Sequence, residues 1–215
     1  MDLKLVNVSA VIGLCAMVTL TVNVLLGMLL STAYKTNLLW KKLPGKVKNI
    51  SVLWLHNQTA YLALILVLLH PLFLVLDPST KFTFKDVVFP VDAPHQKWFV
   101  MLGTLAMFAL IIVIITTQKA VKKKMSFRLW KNIHLVSYGT AMLFIVHGLM
   151  MDPELKDRPT DWLDGEKLLC ELCLLILTAA SFVRLKYHFN LGKIIEIAPP
   201  PVVMLFMFML LSLQQ

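Results

Sequence analysis

Long apolar runs constrain the fold of this chain more than any other feature. A helix needs about 20 apolar residues to cross roughly 30 Å of hydrocarbon. The sequence contains six such runs, at about residues 8–31, 53–76, 98–117, 132–151, 167–187 and 198–213. A content of 58% hydrophobic and 15% charged residues agrees with this pattern. We therefore predict an all-α, polytopic membrane bundle with six transmembrane helices, forming one integral domain over residues 1–215.

The net charge of +9 is distributed unevenly over the loops. The first, third and fifth loops hold 14 of the 21 basic residues and one acid, whereas the second and fourth hold six basic and nine acidic residues. Basic loops stay on the cytoplasmic side of a membrane. We therefore expect both termini outside, in a bacterial inner membrane, with spans two and four running in the same direction. Because the charge is explained by topology, it does not indicate a nucleic-acid partner.

Four of the six histidines lie inside these spans and form two pairs. His56 and His70 stand at positions i and i+14 of the second span, and His134 and His147 at i and i+13 of the fourth. These steps rise about 21 Å and about 19.5 Å along a helix. Because the two spans are co-directional, we expect His56 level with His134 near the inner face. His70 is then level with His147 near the outer face.

Each level offers two imidazoles from facing helices, which is the axial ligand set of a six-coordinate haem b. A metal ion without a porphyrin would need further ligands at each level, and the two levels are too distant to share one ion. We therefore predict two haem b groups with these histidines as iron ligands. The inner haem is assigned to His56 and His134, and the outer haem to His70 and His147.

The i, i+13 spacing on the fourth span conflicts with a regular helix. At about 100° per residue it misses the starting face by about 140°. The span is therefore expected to be kinked or overwound, or to present its histidines on different sides. Gly139 and Gly148 would permit a distortion.

Several polar residues are candidates for supporting roles. Arg128 and Lys131, one to two turns before His134, are possible contacts for haem propionates, although each also fits the ordinary basic character of an inner loop. Five residues are expected to face the interior and orient the ligand rings, namely Asn57, Gln58, Tyr61, Tyr138 and Thr140.

Three further residues on the fifth span have roles that the sequence leaves open. Cys170 and Cys173 share a helix face, where they fit packing better than redox chemistry. Glu171 between them fits a structural acid or a proton or quinone ligand equally well.

The paired histidines, together with WKNIHLVSYGTAMLFIVHG at 130–148, resemble the ferric reductase-like transmembrane domain. This family includes the membrane parts of NADPH oxidases and ferric-chelate reductases, and the haem b subunit of the periplasmic methionine sulfoxide reductase system. The run W-x-x-x-H-x-x-x-Y at Trp130, His134 and Tyr138 is similar to the family signature. The resemblance covers about residues 10–190, with 198–213 as an additional span. No G-x-G-x-x-G motif of a nicotinamide-binding domain accompanies it.

The resemblance implies transmembrane electron transfer, with a cytoplasmic flavoprotein or a membrane quinol as donor and an acceptor at the outer face. A flavin or quinone would then come from the partner. One alternative is direct reduction of ferric chelates or oxygen at the outer haem. Another is a non-catalytic anchor subunit of a redox complex, in which the histidines only pack. Whether the chain is an enzyme by itself stays open at this stage.

Overall fold

The computed structural model describes residues 4–32, 34–36, 38–152, 155 and 161–188. Its five long helices are α1 (Leu5–Leu30), α2 (Val52–Leu76), α3 (Lys97–Thr117), α4 (Phe127–Met150) and α5 (Gly165–His188). The described residues contain no strand, so the all-α prediction is confirmed. Helices α1 to α4 are long and apolar enough to cross a membrane. Four of the predicted spans are thus supported. The predicted fifth span, 167–187, lies within α5, which is not among these candidates, and the predicted span 198–213 lies outside the described residues.

Serine caps fix the beginnings of the two helices that carry the histidines. The side chain of Ser51 accepts a hydrogen bond from the backbone N–H of Trp54, and that of Ser126 accepts one from Leu129. Both are N-cap interactions that satisfy an otherwise unpaired donor. The Ser126 cap starts α4 at Phe127, five residues before the predicted boundary. The apolar run therefore underestimated this helix, whose first five residues include Arg128 and Lys131.

Most of the packed helix pairs are antiparallel. Helix α1 packs along α2, α3 packs along α4, and α5 packs against α1 and α4. The shared core is apolar and contains side chains from all five helices, among them Met17, Leu20, Val67, Leu110, Ile145 and Leu177. Helices α2 and α4 are not among the pairs that pack closely in the described chain. The two histidine helices are therefore held by other helices, and their side chains meet across the space between them.

A carboxylate at the end of α2 caps the start of α1. Asp77 accepts a hydrogen bond from the backbone N–H of Val6 at 3.0 Å through one oxygen. Its other oxygen accepts from the N–H of Ser79 at 3.0 Å and from its hydroxyl at 2.6 Å. These bonds, led by the Ser79 hydroxyl, lower the pKa of Asp77 below its ordinary value. Asp77 therefore ties together two helix ends that are 71 residues apart in sequence.

Replacing Asp77 by asparagine is expected to lower the free energy of unfolding by about 1–2 kcal/mol near neutral pH, since one oxygen must then serve both helix ends. Because the folded pKa is lowered, the contribution of Asp77 is complete above the unfolded value of about 3.9 and is lost as the pH falls through the folded value. In detergent, the unfolding temperature of the variant should therefore be lower than that of the wild type at neutral pH and equal to it in acid. Asp92→Asn, at an exposed ion pair with Lys85, is the control, and an equal effect there would contradict the assignment.

Candidate functional site

The four span histidines meet in the two predicted pairs. The ring centroids of His56 and His134 are 6.1 Å apart, with an angle of 75° between the ring planes. Those of His70 and His147 are 6.2 Å apart, at 80°. Helices α2 and α4 are therefore co-directional, and each pair forms one level of the bundle.

These separations match two imidazoles that share one metal. With a metal–nitrogen distance of about 2 Å and about 1.1 Å from the nitrogen to the ring centre, the two centroids lie about 6.2 Å apart. Both observed values agree with this estimate. The 13-residue step between the histidines of α4 does not prevent the pairing. Helix α4 is continuous from Phe127 to Met150, and both of its histidines reach their partners on α2.

Three of the four rings make the same contact with a neighbouring helix, with a backbone carbonyl and with the glycine four residues later, which we call a carbonyl–glycine cradle. The Nδ1 atoms of His70, His56 and His147 lie 2.8, 3.0 and 2.7 Å from backbone carbonyl oxygens. Those carbonyls belong to Ser9, Asn23 and Phe99. In each case the residue four positions later is a glycine that faces the same ring, namely Gly13, Gly27 and Gly103.

The spacing of four positions has a physical reason. In an α-helix the carbonyl of residue i bonds to the N–H of residue i+4, and its second lone pair stays available. A side chain at i+4 would block a ring that approaches this carbonyl. A Cβ at Gly103 would lie 2.8 Å from Cε1 of His147, and one at Gly13 would lie 2.9 Å from Nδ1 of His70. Glycine therefore makes the carbonyl accessible to the imidazole.

On α1 the cradle occurs twice with the period of the histidines. The step from Ser9 and Gly13 to Asn23 and Gly27 equals the step from His56 to His70 on the antiparallel α2. The bonds are also reciprocal. The Ser9 hydroxyl donates to the backbone oxygen of His70 at 2.7 Å, and the Asn23 amide donates to that of His56 at 2.6 Å. Helix α1 therefore fixes both the ring and the backbone of each histidine.

The cradle determines the tautomer of the ring. A backbone carbonyl only accepts hydrogen bonds, so Nδ1 carries the proton in His56, His70 and His147. In a neutral imidazole, Nε2 then carries the lone pair that a metal requires. A bond from Nδ1–H to a carbonyl also orients a ligand ring and strengthens it as a donor. Three of the four histidines are thus prepared as metal ligands through Nε2.

His134 is held differently. Its Nδ1 is buried and has no hydrogen-bond partner among the described residues. Instead, its ring stacks on Trp130, one turn earlier on α4, with centroids 5.2 Å apart and planes 15° apart. The other histidine of this helix, His147, leans on α3 through Phe99 and Gly103. The two histidines of α4 are therefore held on different neighbours, in keeping with their different helical phase.

An apolar cavity lies beside the outer pair. It is lined by residues of all five helices, including both outer histidines and their glycines Gly13 and Gly103. Together with the open space at its mouth it measures about 1240 Å³. A second cavity of about 420 Å³, between α1, α4 and α5, is lined by Tyr138 and Met142 but by no histidine. The fit to a haem is therefore most complete at the outer level.

The donor set fits a haem better than a bare ion. The described residues contain no group of three or more His, Cys, Asp or Glu side chains that could hold a metal ion. Two imidazoles are too few for a stable ion site made only of protein ligands. A porphyrin supplies four equatorial nitrogens of its own, so two axial histidines per level suffice.

The residues predicted to contact haem propionates lie at the surface. Arg128 and Lys131 are exposed, and their role as propionate contacts stays a prediction. The cation nearest the inner pair in the described contacts is Lys122, whose Nζ lies 3.7 Å from the centre of the Trp130 ring. Sequence reasoning missed it because Lys122 belongs to the short helix Lys119–Lys122, outside the apolar spans.

The polar residues expected to orient the rings have other surroundings. Asn57 and Gln58 are exposed. Tyr61 pairs with Gln118, whose amide donates to the phenol oxygen at 3.1 Å. The Thr140 hydroxyl donates to the carbonyl of Val136 at 3.1 Å. The partners of three rings are backbone carbonyls, which no residue type reveals in a sequence.

Of the three residues of α5 with open roles, one lines the outer cavity. Cys170 and Cys173 are buried in the core as free thiols, and Cys170 lines the cavity. Oε1 of Glu171 is buried without a hydrogen-bond partner among the described residues. The Lys167 amine donates to the carbonyls of Gly148, at 2.9 Å, and Met151. It thereby caps the C-terminal end of α4.

A family model described as "Ferric reductase like transmembrane component" matches residues 10–146. This segment contains most of α1 and α4, the whole of α2 and α3, and His56, His70 and His134. The chain belongs to this family. The match ends one residue before His147, so the fourth histidine rests on its spacing in the sequence and on its pairing with His70. No curated protein and no solved structure matches the chain. Membership of the ferric reductase-like family indicates a membrane redox role.

Proposed function

We propose that this chain binds two haem b groups and carries electrons from one face of the membrane to the other. The observation that carries the proposal is the pair of histidine couples, with ring separations of 6.1 and 6.2 Å, on two co-directional helices of a ferric reductase-like protein. His56 and His134 would ligate the inner haem, and His70 and His147 the outer haem. When bound, the two haems would supply one-electron couples at two depths of the bilayer.

The residues of the chain would perform three tasks in this function. The four imidazoles would bind the haem irons, and the carbonyl–glycine cradles hold three of these imidazoles in one orientation and tautomer. The core between the two levels excludes water, since it is built from apolar side chains such as Val67, Ala141 and Ile145. A dry, rigid interior favours electron transfer because little solvent must reorganise when the charge moves.

Topology and partners form part of the same proposal. The basic loops assign the His56–His134 level to the cytoplasmic side and the N-terminus to the outside. A cytoplasmic flavoprotein or a membrane quinol is proposed as the electron donor, and a protein or small molecule at the outer face as the acceptor. A flavin or quinone would belong to the partner, and the membrane would be a bacterial inner membrane.

Vesicles that contain the purified protein test the function. Ferricyanide trapped inside is expected to be reduced after dithionite is added outside, at a rate that increases with the amount of protein in the membrane. His147→Ala protein and protein-free vesicles serve as controls and should show only background reduction. If haem-loaded vesicles reduce the trapped ferricyanide no faster than protein-free vesicles, the proposed function is wrong.

A second candidate is direct reduction of a substrate at the outer level. It is favoured by the cavity beside His70 and His147, whose lining includes Asp152 and Glu166. Carboxylates at this place would attract a cationic acceptor rather than an anionic chelate. Rapid reoxidation of the reduced protein by an added acceptor, with no partner protein present, would support this candidate.

A further inference from the structure

His134 lacks the cradle that the other three histidines share. The described chain provides no carbonyl for its Nδ1, and none of the described glycines faces its ring. A ligand without a hydrogen bond from its second nitrogen is both less basic and less fixed in orientation. Among the four rings, His134 therefore has the fewest contacts of the cradle type, and another contact must orient it.

The sequence of α3 explains why the cradle is missing. Helix α3 holds His147 through Phe99 and Gly103. A second cradle for His134 would require a glycine one histidine step beyond Gly103, where α3 has Thr116 and Thr117. The hydroxyls of these threonines donate to the carbonyls of Val113 and Ile114, at 2.9 and 2.7 Å. The glycine position is therefore filled by side chains. The cradle carbonyl four residues before Thr117 is that of Val113, which already accepts an additional bond.

The ring of His134 is stacked on Trp130 instead. Its indole is nearly parallel to the His134 ring, at 15° and 5.2 Å between centroids, which is an offset-stacked arrangement. The Nζ atom of Lys122 lies 3.7 Å from the centre of the Trp130 ring, in the range of a cation–π interaction. Phe127 also contacts Trp130, with centroids 5.8 Å apart. Lys122 and Phe127 thus hold the indole in place independently of its contact with His134.

We propose that Trp130 is the positioning residue of His134, and that ring stacking replaces the carbonyl–glycine cradle of the other three ligands. This inference rests on the proposed haem ligation. Because Lys122 belongs to the helix Lys119–Lys122 in the basic loop before α4, the arrangement also connects that loop to the inner ligand pair. Both rings of the outer pair are instead held by cradles.

The test compares the full-length wild type with Trp130→Leu, Trp130→Phe and Lys122→Met. Trp54→Leu is the control, since it removes an exposed indole two residues before His56. The readouts are the low-temperature electron paramagnetic resonance signals of the two oxidised haems and the binding of carbon monoxide after reduction. The signals are assigned with His56→Ala and His70→Ala proteins, each expected to lack one of them.

In Trp130→Leu we expect the inner signal to shift and broaden, and the reduced inner haem to bind carbon monoxide because His134 releases the iron. The outer signal should not change. Trp130→Phe should restore the wild-type behaviour, Lys122→Met should shift the inner signal less, and Trp54→Leu should match the wild type. The inference is overturned if Trp130→Leu leaves the inner signal unchanged and excludes carbon monoxide, if Phe fails to rescue, or if both haems are lost together. Absence of haem from the wild type would instead refute the proposed function.

Discussion

Purified His147→Ala and His134→Ala proteins are each expected to retain one haem, against two in the wild type. In the described residues each level offers two imidazoles. Under the proposed ligation, removal of one leaves a single ligand and a large loss of affinity at that level alone. The two variants should also differ from each other, because one loses the outer haem and the other the inner haem. The pyridine haemochrome assay, normalised to protein concentration, measures the ratio.

His95→Ala is the matched control for these variants. His95 lies in the loop between α2 and α3 and belongs to neither pair. The His95→Ala protein should retain both haems. Full haem content in His147→Ala, or loss of one haem in His95→Ala, would contradict the assignment of the ligands.

Gly103→Ala is expected to reduce the affinity for the outer haem by about 10–100-fold, as found when an outer-shell support of a metal ligand is removed. The new methyl group would lie 2.8 Å from Cε1 and 2.9 Å from Nδ1 of His147. The ring would have to leave the carbonyl of Phe99, and it would lose its orientation and its fixed tautomer. Titration of the haem-free protein with haemin, followed by absorbance, measures the affinity.

The other glycines provide a graded series. Gly27→Ala should have a smaller effect, at the inner level, because its Cβ would lie 3.2 Å from the His56 ring. Gly139→Ala is the control, since a Cβ there meets nothing within 4 Å, and alanine favours a helix over glycine by up to about 1 kcal/mol. If Gly103→Ala and Gly139→Ala have the same haem affinity, the cradle does not support the ligand.

The first four spans and the pairing of the histidines could be predicted from the sequence because both follow from simple periodicity. The first three helices begin and end within a few residues of the apolar runs. The fourth begins earlier, because polar residues such as Arg128 and Lys131 continue the helix beyond its apolar segment. Depth alone also predicted which rings meet, since two co-directional helices with nearly equal histidine steps keep their histidines level.

The cradles could not be predicted in the same way, because they depend on which helices are neighbours. A backbone carbonyl is present at every residue, so only the glycine that exposes it gives a signal. That signal exists on α1, where Gly13 and Gly27 repeat with the step of His56 and His70. The stacking of Trp130 on His134 is also local in sequence, at an i, i+4 spacing on one helix. The missing second cradle on α3 is visible in the sequence as Thr116 and Thr117 in place of a glycine, but it has meaning only once α3 is known to pack along α4.

Electron paramagnetic resonance of the oxidised, purified protein tests the central claim most directly. At the observed angles of 75° and 80° between the ring planes, two imidazoles that shared an iron would leave two of the iron orbitals nearly equal in energy. The resulting low-spin signal is strongly anisotropic, unlike the rhombic signal of parallel rings. We expect two such signals of equal intensity, one for each histidine pair. High-spin iron, a single signal, or a preparation without haem would contradict the account.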